Sequence, residues 1–150
     1  MNKEKLINIA KNFKIDGTPI ELEKCNSGHI NKTYAIKYKK ENGETKKYIL
    51  QYVNTNVFPN LPDLMENIKK VTSYMSKKAE EKGETTDRLT IKMIDPIDEN
   101  PNGLYKDNWR MEEFIDNTKT YLTTEDMEIL SEAGKAAGKF QKHLHGFPAD

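Results

Sequence analysis

The stretch most suggestive of binding chemistry is CNSGHINKTYAIKY, residues 25–38, in which a polar loop with one glycine separates two segments of alternating polarity. A loop of this kind, held between two strands, can direct successive backbone N–H groups toward an anion. Asn26 and Gly28 are also ordinary turn residues, so a plain hairpin explains the loop by itself equally well. The remaining sequence has to decide between an anion site and a hairpin.

Composition limits what an anion site in this chain can use. The 150 residues include 24 basic and 24 acidic side chains, so the net charge gives no reason to expect nucleic acid, a membrane surface or an acidic partner. Nearly all the basic residues are lysines, and only Arg88 and Arg110 offer the planar guanidinium that binds phosphates through two hydrogen bonds. The site would therefore depend on backbone N–H groups, lysine or a metal.

The sequence gives no sign of a metal site, a disulfide bond or a membrane-spanning segment. Cys25 is the single cysteine, which excludes an internal disulfide and a Cys-rich zinc site. His29 has no second histidine or cysteine spaced to share a metal with it. The N-terminus lacks the apolar core of a signal peptide, and no segment approaches the roughly 18 apolar residues of a membrane span. We expect a soluble, cytoplasmic protein.

The elements that would position the loop follow from the apolar patterns. Alternation predicts three antiparallel strands at residues 19–25, 33–39 and 46–53. Asn42–Gly43 predicts the second hairpin, because both residues tolerate positive φ. Two more strands are predicted at residues 88–95 and 104–115, the latter with an irregularity at Asp107–Asn108.

Helical spacing predicts three helices around these strands. They cover residues 3–13, residues 61–82 with Gly83 as the C-terminal stop, and about twenty residues from Thr124 onward. The last has an apolar face of Met127, Leu130, Ala133, Ala137, Phe140 and Leu144. The expected fold is α+β, a five-stranded antiparallel sheet with the helix at 61–82 packed against it.

This order of elements resembles the smaller lobe of protein-kinase-like enzymes, and several segments extend the resemblance. GHINKTYAIK is similar to the G-x-x-N-x-T-Y opening of the aminoglycoside and choline phosphotransferase superfamily. YILQYVNTNVFPNLPDLMENIKKV resembles a characteristic block of N-acetylhexosamine 1-kinases. WRMEEFIDNTKTY is similar to the hinge segment of that family, and AGKAAGKFQKHLHGFPAD to its first large-lobe helix. The resemblance covers the chain from about residue 20 onward.

The resemblance implies that the polar loop covers the phosphates of ATP. Gly28 would let the backbone close over them, and Asn31 would hold the shape of the loop. His29 and Thr33 lie in the same segment and are included in the nucleotide site, although a histidine such as His29 is more often an exposed polar residue.

Kinases of this kind normally carry a lysine on the third strand, paired with a glutamate of the following helix. The matching positions here are Gln51 and Glu66. Gln51 can donate a hydrogen bond to a phosphate but carries no charge, so the ion pair is absent. Tyr52 occupies a neighbouring position at which the family often has a basic residue. Glu66 also suits a solvated helix face.

The hinge segment supplies the remaining expected contacts. Met111 would lie behind the adenine, while the carbonyl of Glu113 and the N–H of Ile115 would form the two hinge hydrogen bonds. For Met111 and Phe114, packing of the strand against the core is the alternative explanation, and for Trp109 it is the preferred one.

The expected organisation is a small ATP-binding lobe at residues 1–115, a hinge linker at 116–123 and the start of a large lobe at 124–150. In this superfamily the catalytic base and the Mg²⁺ ligands belong to an H-G-D…N loop and a later Asp of the large lobe, which this sequence does not contain. The chain alone is therefore expected to be inactive. We expect its longer parent to use ATP and Mg²⁺ to phosphorylate the anomeric hydroxyl of an N-acetylhexosamine.

Two other functions stay open. The parent could phosphorylate choline, homoserine or an aminoglycoside, or the chain could be a non-catalytic binding module. The expected partners are a nucleotide and a sugar, with no nucleic acid and no membrane. Self-association is also expected if apolar surface around Met111 and Phe140 is uncovered.

Overall fold

The chain folds around a five-stranded antiparallel sheet, as the sequence predicts. The computed structural model describes residues 1–26, 28–98, 100–106 and 108–148. The elements in chain order are α1 (Lys3–Ala10), β1 (Thr18–Cys25), β2 (Lys32–Lys39), β3 (Thr45–Tyr52), α2 (Leu61–Glu81), β4 (Met93–Ile94), β5 (Trp109–Glu113) and α3 (Met127–Leu144). The strand order is β1-β2-β3-β5-β4, with every neighbouring pair antiparallel. No helix of the described residues has the length and apolar character needed to cross a membrane.

The chain divides into two compact units. The first contains Met1–Asn67 and Ile91–Phe114, and so holds α1, the sheet and the first turns of α2. The second contains Ile68–Thr90 and the residues from Ile115 onward, which include the rest of α2 and all of α3. Residues 68–90 therefore group with the C-terminal segment and not with the sheet, so the expected packing of the helix at 61–82 against the sheet is not confirmed for α2 from Ile68 onward.

The core of the first unit lies on one face of the sheet, called the inner face below. Alternate residues of the central strands point to it, as the period of a strand requires, and α1 packs there. The cluster consists of Leu6, Ile9, Ala10, Phe13, Tyr34, Ile36, Tyr38, Tyr48, Leu50, Trp109 and Met111. The Tyr38 hydroxyl donates a hydrogen bond of 2.8 Å to the Ala10 carbonyl and so joins β2 to α1.

The hairpin between β2 and β3 forms where the sequence predicts it, but with a different turn. Gly43 has a φ of +85°, whereas Asn42 is not among the residues with positive φ. The Gly43 N–H donates to the Lys40 carbonyl, and the Lys40 N–H donates to the Glu44 carbonyl. This is a type I turn followed by a left-handed glycine, in which only the glycine needs positive φ.

The two later strands are much shorter than predicted. The strand expected at 88–95 contains only Met93–Ile94. The strand expected at 104–115 is interrupted because Lys106 has a φ of +45°, and the chain reverses so that Tyr105 and Trp109 exchange two backbone hydrogen bonds. Only Trp109–Glu113 continues as β5. Of the expected irregularity, Asp107 lies outside the described residues.

The long helix ends where predicted. Gly83 has a φ of +67°, and the N–H of Glu84 donates to the Ala79 carbonyl at 2.9 Å, which is the Schellman pattern of helix termini. The final helix begins at Met127, three residues later than Thr124, because the Asp126 carboxylate caps it by accepting a hydrogen bond from the Glu128 N–H.

The second unit buries a histidine on α3 and leaves most of the predicted apolar face exposed. His143 is buried, with ring nitrogens 2.8 Å from the Lys139 carbonyl and 3.1 Å from Glu84 Oε2. Met127, Leu130 and Phe140 are exposed. Met111 is fully buried in the first unit, so the expectation of apolar surface around it was wrong.

Candidate functional site

A row of three polar side chains crosses the outer face of the sheet, opposite the core. Thr33 of β2 is paired with Gln51 of β3, which is paired with Arg110 of β5. Gln51 Nε2 donates to Thr33 Oγ1 at 3.0 Å, and Arg110 Nε donates to Gln51 Oε1 at 3.0 Å. We call these three side chains the polar row. Their neighbours along the strands, Tyr34, Leu50, Trp109 and Met111, are buried in the core. Because successive side chains of a strand point to opposite faces, the three polar side chains face away from the core.

The amide of Gln51 is oriented by its two neighbours. A guanidinium offers N–H donors and no acceptor, so the Gln51 atom that faces Arg110 must be the carbonyl oxygen. The amide nitrogen is then directed at Thr33, whose hydroxyl accepts. The polar row therefore ends in the positively charged Arg110, which is joined to Thr33 through the neutral amide of Gln51.

Burial shapes the charges at the Arg110 end. Glu112 lies two residues further along β5, on the same face. Burial raises the pKa of Glu112, against the attraction of Arg110. Burial likewise lowers the pKa of Arg110, against the attraction of Glu112. A guanidinium nevertheless keeps its charge at neutral pH, so Arg110 is a half-buried cation with a half-buried carboxylate beside it.

The polar loop adjoins the Thr33 end of the row. Cys25, the last residue of β1, is paired with Thr33, so the loop begins and ends next to this row. Asn31 Oδ1 accepts a hydrogen bond of 2.9 Å from the Asn54 N–H, which ties the loop to the segment after β3. A Cβ added to Gly28 would meet no atom within 4 Å, so no described packing contact requires glycine there.

Two other residues that the sequence assigns to the nucleotide site are exposed, one in the loop and one on α2. His29 lies on the loop surface, and Glu66 lies on the surface of α2. Residue 27 of the loop lies outside the described residues. The loop thus has an anchor at Asn31 and open space beside Gly28.

The predicted hinge residues occupy three different environments. Met111 is fully buried and its side chain is on the inner face, opposite Gln51, so core packing accounts for it. The Glu113 carboxylate accepts a hydrogen bond of 2.6 Å from Lys46 Nζ, and the Glu113 N–H donates to the Lys92 carbonyl. Ile115 belongs to the second unit, where its carbonyl accepts from the Thr118 hydroxyl. The structure therefore does not bring Met111 together with the polar row.

A groove of about 430 Å³ also lies on the outer face, lined in part by Glu23, Cys25, Ala35, Lys47 and Phe114. Its volume is within the range of small-molecule sites, about 300–1,000 Å³. The ammonium of Lys47 lies 5.3 Å from the centroid of the Phe114 ring. The groove runs from the loop end of β1 to Phe114, the residue that follows β5.

Arg110 and Glu112 are the residues that sequence reasoning did not assign to the site. Their signal is the alternation of β5: Trp109 and Met111 are apolar and buried, so residues 110 and 112 face the other side. Among the described residues, no group of three or more His, Cys, Asp or Glu side chains is arranged to hold a metal ion.

The sequence matches no known family model.

Proposed function

We propose that this chain is the ATP-binding lobe of a small-molecule kinase that transfers the γ-phosphate of ATP to the anomeric hydroxyl of an N-acetylhexosamine. The observation that carries the proposal is that the groove and the polar row share one face of the sheet, with the polar loop at the end of the strands β1 and β2 beside them. An elongated ligand with an aromatic end and an anionic end suits such a face. The sugar assignment comes from the resemblance of the ILQ, LMENI and FPA segments to N-acetylhexosamine 1-kinases.

The groove provides for the nucleoside end. Ala35 leaves room on the strand surface, and Phe114 offers an aromatic surface at the point where β5 ends. The carbonyl of Glu113 and the N–H of Ile115 keep the hinge roles that the resemblance implies. Adenine recognition by backbone groups of this kind leaves little trace in side chains, so the groove is the better guide to its position.

The loop and the polar row provide for the phosphate end. Backbone N–H groups between strands bind anions, and the open space beside Gly28 allows close approach of a phosphate. ATP reacts as its Mg²⁺ complex, in which the metal neutralises charge on the phosphates. The residues of this chain would bind and orient the nucleotide, while a second lobe would supply the catalytic base and the metal ligands.

Calorimetric titration of the chain with ATP, adenosine and inorganic phosphate tests the nucleotide part. We expect both ATP and adenosine to bind, with ATP the tighter ligand. Gly28→Val should weaken ATP binding because the added side chain occupies the space beside the loop, while the melting temperature stays the same. Gly134→Val, at an exposed glycine of α3, is the matched control.

Two results would contradict this part of the proposal. If neither ATP nor adenosine binds, the chain is a different kind of module. If Gly28→Val lowers the melting temperature and leaves ATP affinity unchanged in the folded fraction, the loop is structural.

The acceptor is tested with the proposed two-lobe enzyme by coupled ADP release in the presence of GlcNAc, GalNAc, choline or an aminoglycoside. We expect turnover with a hexosamine and none with the 150-residue chain, since phosphoryl transfer depends on positioned base and metal ligands. Turnover by the chain alone would contradict its assignment as a binding lobe. ADP release with choline or an aminoglycoside, and none with either hexosamine, would contradict the sugar assignment.

A further inference from the structure

The proposed nucleotide site lacks a charge where kinases normally have one. A lysine on the third strand usually contacts the α- and β-phosphates, whereas this position is Gln51, which is neutral. A triphosphate carries several negative charges, so a cation near Gln51 would have to come from another element.

Arg110 lies directly beside Gln51, one strand further into the sheet. The two residues are cross-strand partners, and Arg110 Nε donates to Gln51 Oε1 at 3.0 Å. This bond uses one of the five N–H donors of the guanidinium. The bond anchors the planar group at Nε, and the other four donors belong to the two terminal nitrogens.

Two lysines of the outer face, Lys37 and Lys47, are less suited to this task. Lys37 forms an ion pair with Glu21 at 3.4 Å, and Lys47 lies over the ring of Phe114. These two lysines are paired with each other in the sheet, four residues along the strands from the pair formed by Thr33 and Gln51. Arg110, in contrast, belongs to the polar row that adjoins the loop.

Glu112 is the charged group that opposes anion binding at Arg110. It lies on the same face two residues away, and burial raises its pKa. Its attraction to Arg110 offsets part of the positive charge that a phosphate would meet. Hydrogen bonds that a guanidinium makes to phosphate are charge-assisted and frequently bidentate, so a phosphate competes well for the same cation.

We infer that Arg110 is the cation that binds the phosphates of the nucleotide, and that Gln51 is its positioning residue, bridging Arg110 to Thr33. The inference rests on the proposed function, because the ligand is a nucleoside polyphosphate. It assigns to two adjacent strands the role that a single lysine has in other kinases: Arg110 supplies the charge, and Gln51 fixes its direction.

The test compares ATP with adenosine in calorimetric titrations of the chain, each accompanied by a thermal melt. Arg110→Met should lower ATP affinity at least about tenfold, the loss expected for a charged hydrogen bond, with adenosine affinity unchanged. Arg88→Met removes the other arginine, which is exposed and belongs to the second unit, and should change neither affinity.

Gln51→Glu is a second variant that tests the role of Arg110, and it serves if Arg110→Met does not fold. A carboxylate at position 51 can accept hydrogen bonds from both Arg110 and the Thr33 hydroxyl, so the melting temperature should be retained or raised. ATP affinity should nevertheless fall, because the new charge neutralises Arg110 and repels phosphate, while adenosine affinity should stay the same.

The outcomes separate the two proposals. If the wild-type chain binds neither ATP nor adenosine, the proposed function fails and this inference fails with it. If both ligands bind and the ratio of their affinities is unchanged in Arg110→Met or in Gln51→Glu, the inference alone is overturned and the polar row is structural.

Discussion

Replacing Gly17 with alanine should destabilise the first unit strongly. Gly17 precedes β1 and has a φ of +108°, and a Cβ built on it would lie 2.5 Å from the Lys39 carbonyl oxygen and 2.9 Å from its carbonyl carbon. Because these are backbone atoms of β2, no side-chain rotation relieves the overlap. The end of the β1–β2 pairing, where Thr18 is paired with Lys39, would have to open.

The magnitude follows from two contributions. An alanine with positive φ costs about 1–2 kcal/mol. Opening the end of the ladder forfeits a further one or two backbone hydrogen bonds at about 1 kcal/mol each. We expect Gly17→Ala to reduce the free energy of unfolding by about 2–4 kcal/mol, which for a chain of this length lowers the melting temperature by about 5–15 °C.

Gly43→Ala is the matched control, because Gly43 has a φ of +85° but a Cβ there would meet nothing within 4 Å. It should lose only the conformational part, about 1–2 kcal/mol. The free energy of unfolding of each variant is to be measured by urea unfolding, followed by the fluorescence of Trp109, which is buried in the core of the same unit. Equal losses in the two variants would refute the argument, since they would show that β2 accommodates a methyl group at Gly17 without cost.

Three further changes have defined outcomes. Burial, with a smaller contribution from Tyr48, raises the pKa of Tyr38, so the unfolded chain loses this proton first and stability falls as pH rises above about 10. Tyr38→Phe should reduce the loss of unfolding free energy between pH 8 and pH 11, measured in urea melts. An equal loss in both proteins would contradict this prediction. The hydrogen bond with His143 lowers the pKa of Glu84, so its contribution to stability is present above the ordinary glutamate pKa and is lost as pH falls through the lowered value. Glu84→Gln should reduce the acid sensitivity of hydrogen exchange in α3, and equal sensitivity in both proteins would count against the pair. Gly134→Ala should raise the stability of α3 by about 0.5–1 kcal/mol, because the glycine is exposed and no described atom opposes a Cβ; a loss in circular-dichroism melts would show that another element approaches it.

The parts of the fold that the sequence predicts correctly are those with local signals. The three strands of the meander have apolar residues at every second position, and α2 has Gly83 directly after its last turn. Both signals are contained in neighbouring residues, so they do not depend on contacts with distant parts of the chain. The hairpin at Asn42–Gly43 was predicted for the same reason, although the turn needs positive φ only at Gly43.

The fifth strand shows where local signals stop being sufficient. Residues 104–115 contain aromatic and apolar residues that favour a strand, but the chain reverses between Tyr105 and Trp109 through a left-handed Lys106. Lysine has no intrinsic preference for positive φ. The two hydrogen bonds that Tyr105 and Trp109 exchange stabilise the reversal, and they form between residues whose pairing the sequence does not specify.

The candidate site residues were also placed only in part by the sequence. Gln51 and Thr33 were both assigned to the nucleotide, and the structure brings them within hydrogen-bond distance of each other, while their role stays a prediction. Met111 and Gln51 were both assigned to the nucleotide, but they face opposite sides of the sheet, since Gln51 is paired with Arg110 and not with Met111. A shift of one residue in this pairing would exchange the faces, and the register between β3 and β5 depends on contacts far apart in the chain.

That register also explains why an uncharged residue suits position 51. Side chains directly opposite each other on neighbouring strands have Cβ atoms about 4.5–5.5 Å apart, and like charges placed there destabilise a sheet. A lysine at position 51 would face Arg110 at this distance and could accept no hydrogen bond from it, since an ammonium has donors only. Gln51 instead accepts from Arg110 and donates to Thr33 through one amide. The absence of a lysine at position 51 and the presence of an arginine at position 110 are therefore linked, because each residue restricts what the opposite position can hold.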